Sequence, residues 1–130
     1  MIRRVVLLGL PAALFACAAP RYHMPSGLHS YRYFVVGSDS LSLALGTALR
    51  QRGLEVVPRL RGGAGPTAAV IHFLFRDPGD SVGTVLHIQL ADTRTGVVIG
   101  YGMGVLSGLP GPVDARAAAL LDSLGLKRTP

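Results

Sequence analysis

"YRYFVVGSDSLSLALGTALRQRGLEVV", residues 31–57, decides how this chain folds. Tyr31 to Val36 is aromatic and β-branched, the composition of a strand. The pattern then changes. Ser38, Asp39 or Ser40 can cap a helix, and Leu41, Leu45, Ala48 and Leu49 recur at the spacing of one buried helical stripe. Gly53 ends that helix, because glycine tolerates the left-handed residue after a last turn and lets Leu54 fold back on Leu49. Leu54 to Val57 then makes a short strand closed by Pro58. A strand, a helix and a strand in that order predict a right-handed crossover with both strands in one sheet.

Outward from this unit, "AAVIHFLFRD" (residues 68–77) follows a glycine-rich loop and is apolar on both faces between Val70 and Phe75, which suits a central strand. "VGTVLHIQLAD" places Val82, Thr84, Leu86, Ile88 and Leu90 on one face of the next strand. "DTRTG" is a hairpin connection with Gly96 where a positive φ is needed, and its partner strand runs from about Val97 to Leu106. Pro112 opens a last helix whose stripe is Val113, Ala117, Leu120, Leu121 and Leu124, and Gly125 terminates it. These strands and helices, a βαβ unit followed by further strands and a last helix, predict a two-layer α/β sandwich, with a mixed sheet of about five strands and two helices.

The chain before residue 31 has another character. Arg3 and Arg4 form a positive head, Val5 to Ala16 is apolar except for Pro11, and small residues follow, which is the layout of a secretory signal. The run is too short to span a bilayer, which takes about 20 apolar residues. Cys17 is the only cysteine and stands at the end of this run. Leu14, Phe15, Ala16 and Cys17 resemble the lipobox of bacterial lipoproteins, with an aliphatic residue three before the cysteine and a small one directly before it. Phe15 is bulkier than the residue usual at its position. The resemblance implies acylation of Cys17 and cleavage before it. It divides the chain into a signal peptide (1–16), a lipidated cysteine with a flexible tether (17–30) and one α/β domain (31–130). Ala18 is not the aspartate that retains such lipoproteins at the inner membrane, so the resemblance also implies the periplasmic face of the outer membrane. Ala16 and Ala18 equally satisfy the small-x-small rule for soluble export, which leaves a soluble periplasmic or secreted protein as the alternative.

With a single cysteine the mature domain has no internal disulfide, so its apolar core alone must hold it. The formal charge of +6 falls by two, to +4, once Arg3 and Arg4 leave. Twelve of the 13 basic residues are arginine, and they are scattered, which reads first as a solvated basic surface and, if it meets a partner, as one for anionic lipid, lipopolysaccharide or an acidic protein face and not for nucleic acid.

No constellation announces a reaction. "RGGAGP" (residues 61–66) lacks the lysine and the Ser or Thr of a phosphate loop, and there is no G-x-S-x-G elbow. His72 and His87 fall on neighbouring strands and, in a suitable register, share a face with Gln89, but two histidines without a third ligand make no metal site. Gly100, Gly102 and Gly104 lie on one face of the last strand, where either a ligand or a packed helix can approach closely. His72, His87, Gln89 and these glycines form the candidate ligand face; no catalytic residue, metal or cofactor is expected. The strand and helix pattern, "RQRGLEVV" and "LHIQLADTRTGVVI" included, is similar to small envelope lipoproteins. Among them are uncharacterised lipoproteins with a domain of unknown function, the auxiliary lipoproteins of ABC transporters, and the amino-terminal domain of TolB. The resemblance implies a non-enzymatic binding, scaffold or transport accessory, with an envelope protein or a second copy as partner. The alternative is a secreted small-ligand binder or hydrolase.

Overall fold

The computed structural model describes residues 21–63, 65–76, 79 and 83–128. The signal segment 1–16, with Leu14, Phe15 and Ala16, and the cysteine Cys17 lie outside the described residues.

Among the described residues six main elements follow one another: β1 (Arg32–Val35), α1 (Ser40–Gln51), β2 (Thr67–Arg76), β3 (Thr84–Asp92), β4 (Val98–Val105) and α2 (Val113–Ser123). Short 3-10 turns stand at Leu28–Ser30 and Leu106–Gly108. The strands form one sheet in the order β1-β2-β3-β4, with β1 parallel to β2 and the remaining pairs antiparallel. The result is a mixed α/β fold of four strands and two helices, not five strands. The expected strand at Leu54–Val57 contributes only one parallel bridge, Val56 to Tyr33. Tyr33 N–H donates to Glu55 O at 2.8 Å and Val57 N–H to Tyr33 O at 2.8 Å. Pro58 follows at once, and the described residues show no further bridge to β1 beyond it.

Both helices are closed in the way their glycines foretell. Gly53 (φ 76°) and Gly125 (φ 81°) are left-handed. Leu54 N–H returns to Leu49 O at 3.2 Å, and Leu126 N–H to Leu121 O at 3.1 Å. These are Schellman closures, which satisfy the orphan carbonyls of a last turn and fold an apolar residue back on the helix. At the other end of α1, the Asp39 carboxylate accepts from Leu41 N–H and Ser42 N–H at 3.0 and 3.1 Å, filling two orphan donors.

The core lies between one face of the sheet and the helices. Tyr33, Val70, Leu86, Ile88 and Leu90 from the strands meet Leu45, Leu49, Ala117, Leu120 and Leu121 from the helices. Arg52 enters this layer with its side chain 1% exposed. Its guanidinium donates to Ala48 O on α1, to Ala118 O on α2 and to Leu126 O, and pairs with the Asp122 carboxylate at 2.8 Å. One planar fork therefore joins the C-terminal ends of both helices, where the helix dipoles favour a cation.

Candidate functional site

Strand alternation sorts the candidate residues onto two faces. Register places His72 opposite Ile88 and Gly102, on the helix side, whereas His87 lies opposite Phe73 and Met103 on the other side. The two histidines therefore do not share a face, because they differ in parity along their strands. Gln89 goes with His87. Gly100, Gly102 and Gly104 go with His72, facing the helix layer. A Cβ at Gly102 would run into Ser123 of α2, at Gly100 it would lie 3.1 Å from Leu90, and at Gly104 2.9 Å from Leu109. The glycines make room for a packed helix and turn, so the expected ligand face is divided and its glycine half is filled.

The side away from the helices is open and mostly apolar. Three rows cross β2, β3 and β4: Ile71, Gln89 and Tyr101; Phe73, His87 and Met103; Phe75, Val85 and Val105. Phe75, Tyr101 and Met103 are exposed by 55%, 49% and 60%, and Phe73 by 38%. An antiparallel sheet with one solvated face ordinarily turns polar residues outward, and here large apolar ones stand there instead. His87 is embedded among them. Its ring stacks on Phe73 at 4.9 Å, meets Phe75 edge-on at 6.2 Å, and bonds through Nδ1 to the Tyr101 hydroxyl. Its Nε2 is buried and has no partner among the described residues. The sequence carried a signal for this face. "GYGMG" alternates glycine with Tyr101 and Met103, so glycines against the helices oblige the large side chains to face outward.

His72 belongs to a second cluster that sequence reasoning missed. Its Nε2 lies 2.9 Å from Ser42 Oγ and 3.4 Å from Asp39 Oδ2, and Ser42 Oγ donates to Asp39 Oδ2 at 2.8 Å. Serine, histidine and aspartate together suggest nucleophilic catalysis, yet the geometry differs. In a catalytic triad the carboxylate holds one ring nitrogen while the serine addresses the other; here both approach Nε2. Ser42 is 2% exposed, which leaves its oxygen no access to a substrate. Hydrogen bonds from the Ser42 hydroxyl and N–H, aided by His72, outweigh desolvation and hold the Asp39 carboxyl at about 2, below its ordinary 3.8. The cluster is a reinforced helix cap, and the spacing of Asp39 and Ser42, cap and third helical residue, was its signal in the sequence.

A third cluster ties residues ahead of β1 to the β3–β4 turn. Asp92 is 1% exposed and accepts from the hydroxyls of Tyr22 at 2.5 Å and Tyr31 at 2.9 Å. It also accepts from the N–H groups of Arg94 and Thr95 at 2.9 and 3.0 Å. The Arg94 guanidinium lies 4.6 Å from the centre of the Tyr22 ring. Burial would raise the Asp92 carboxyl, but these donors prevail and hold it at about 2. The stretch expected as a tether thus contacts the domain from Tyr22 onward, ahead of the boundary expected at Tyr31.

Among the described residues no helix is long and apolar enough to cross a membrane, and no group of three His, Cys, Asp or Glu side chains is placed to hold a metal. Comparison with protein-family models, with curated proteins and with solved structures finds no match, so no enzyme family or homologue is identified.

Proposed function

We propose that this chain is a cell-envelope lipoprotein, anchored through Cys17 at the periplasmic face of the outer membrane. Its domain serves as a non-enzymatic docking or assembly accessory for an envelope protein. The observation that carries this reading is the open face, where Phe73, Phe75, Tyr101 and Met103 stand in solvent on a sheet already packed on its other side. An apolar patch of this kind marks an interaction surface, and aromatic residues and methionine are enriched in interface cores. The lipobox supports the location. Acyl chains contribute about 0.8 kcal/mol per buried CH₂, and two or more hold a protein durably.

The experiment pairs the anchor with the face. The protein is expressed in a diderm host with and without Cys17→Ser, and a photo-crosslinking residue is placed at Met103 or, as a control, at Leu43, which is exposed by 66% on α1. Acyl mass on Cys17, loss of membrane partition on substitution, and a discrete adduct from position 103 but not from 43 are expected. A soluble protein beginning at Ala19, or the same adducts from both positions, would sink the proposal.

A further inference from the structure

The clamp at Asp92 and the distribution of arginines together bear on how the domain sits at its membrane. The starts of β1 and β2, the end of β3 and the β3–β4 turn all gather at one end of the sheet. Tyr22 is fastened to that end by Asp92 and by stacking under Arg94. Chain geometry then limits the distance to Cys17. Five residue steps span at most about 17 Å, whereas the fourteen steps to Tyr31 would reach about 48 Å. Because β2 has ten residues and is about 33 Å long, the longer tether would let the domain turn over and the shorter one does not.

The same end is basic. Arg21 is adjacent to Tyr22, Arg94 stacks on it, and a cleft beside the start of β2 is lined by Arg32, Arg59 and Arg61. Among the described residues three acidic groups accompany them, and one of these, Asp122 at the end of α2, is paired with Arg52 at 2.8 Å. Asp92 is enclosed by its donors, and Glu55 lies 4.0 Å from Arg32. Among the described residues the opposite end carries charges of both signs, since the helix starts place Asp39 and Asp114 there, with Arg76 and Arg116 nearby in the chain.

Resting on the lipid-anchor reading above, we infer that the end bearing Arg59, Arg61 and Arg94 lies against anionic phospholipid headgroups, with the Asp92 clamp fixing that orientation and the sheet standing up from the bilayer. Arginine matches phosphate in both charge and hydrogen-bonding geometry. Such contacts act within a Debye length of about 8 Å at physiological salt, so they need the end to be held close, and the clamp does this. The open apolar face is then presented sideways, parallel to the bilayer normal, where a neighbouring envelope protein can reach it.

The test uses the acylated full chain, reconstituted in vesicles of phosphatidylethanolamine with phosphatidylglycerol or of phosphatidylcholine alone. A fluorophore is attached at Gly62→Cys near the basic end or at Ser107→Cys at the far end. Lipids carrying a headgroup nitroxide are expected to quench the first site several-fold more than the second. The margin should narrow without phosphatidylglycerol and in protein carrying Arg59→Ser with Arg61→Ser. Equal quenching of both sites, stronger quenching at residue 107, or indifference to the anionic lipid in an acylated protein overturns the orientation alone. Absence of acyl mass in the same preparation overturns the anchor reading and this one with it.

Discussion

Asp92 shows how one residue can set the conditions under which this molecule holds together. It was legible in the sequence as a turn residue, and it is one, because its carboxylate accepts from the N–H groups of Arg94 and Thr95. Its two phenol partners were not legible, since Tyr22 and Tyr31 are far from it in the chain and nothing local announces a contact across a sheet end. The sign of its pH dependence follows from its folded value of about 2 against the ordinary 3.8. A depressed carboxyl contributes stability that is present above the unfolded value and is lost as pH falls through the folded one. Tyr31 acts at the other limit. Burial, and the hydrogen bond to Asp92, raise its phenol above 10, so its contribution is present below pH 10 and declines as pH rises beyond it. The clamp should therefore hold from about pH 4 to pH 10. Protection factors of the Arg94 and Thr95 amides, taken against their intrinsic exchange rates at each pH, should stay high and flat across that range and fall below it. Asp92→Asn should abolish the acid step while lowering protection at neutral pH; an unchanged acid profile would show that other carboxylates govern it.

Arg52 works at the scale of elements, because it belongs to neither helix alone. The helices themselves were readable from the sequence: stripe spacing, a cap at Ser38, Asp39 or Ser40, and the two closing glycines all describe local physics. What joins them was not readable, since an arginine near a helix C-terminus is most often a solvated charge in favourable dipole alignment. The fifth strand failed for a related reason. Leu54 to Val57 has the right composition, but its ladder ends after one bridge and the sheet takes β2 as the full partner of β1. At Arg52, removal of the side chain would leave the carbonyls of Ala48, Ala118 and Leu126 without their donor and Asp122 without its partner. Asp122 is 53% exposed and regains water, so the loss falls mainly on the carbonyls, and leaving a buried acceptor unpaired typically costs about 1–3 kcal/mol. Arg52→Ala should lower unfolding free energy by that order in urea titration, and Arg52→Lys should recover only part of it, because an ammonium cannot span three carbonyls in a fixed fork. Full recovery by lysine would mean that charge alone, and not the shape of the guanidinium, unites the helix ends.

The whole molecule is a sheet with unequal faces, and its asymmetry separates what stabilises the fold from what the fold presents. Period-two alternation in β3 predicted which residues go inward, and Leu86, Ile88 and Leu90 are buried accordingly. Alternation alone could not say that His72 and His87 part company, because that depends on the register between β2 and β3, which only the assembled sheet defines. Nor could it say that the outer face stays uncovered, since two helices in a chain of this length can lie on one side or on both. The distinction has a measurable consequence on the two faces of the sheet. Leu86, 2% exposed, is packed beneath the helices, and truncating it to alanine should cost about 2–5 kcal/mol, the usual range for a buried leucine. Met103→Ser and Phe75→Ser on the open face should each change stability by less than about 1 kcal/mol, because those side chains are already half in water. The comparison is made by urea unfolding at two protein concentrations. Small, concentration-independent effects on the open face fit a surface kept for a partner other than itself. Losses there as large as that of Leu86→Ala, growing with protein concentration, would mean that a second copy already covers the face and that the partner is the chain's own twin.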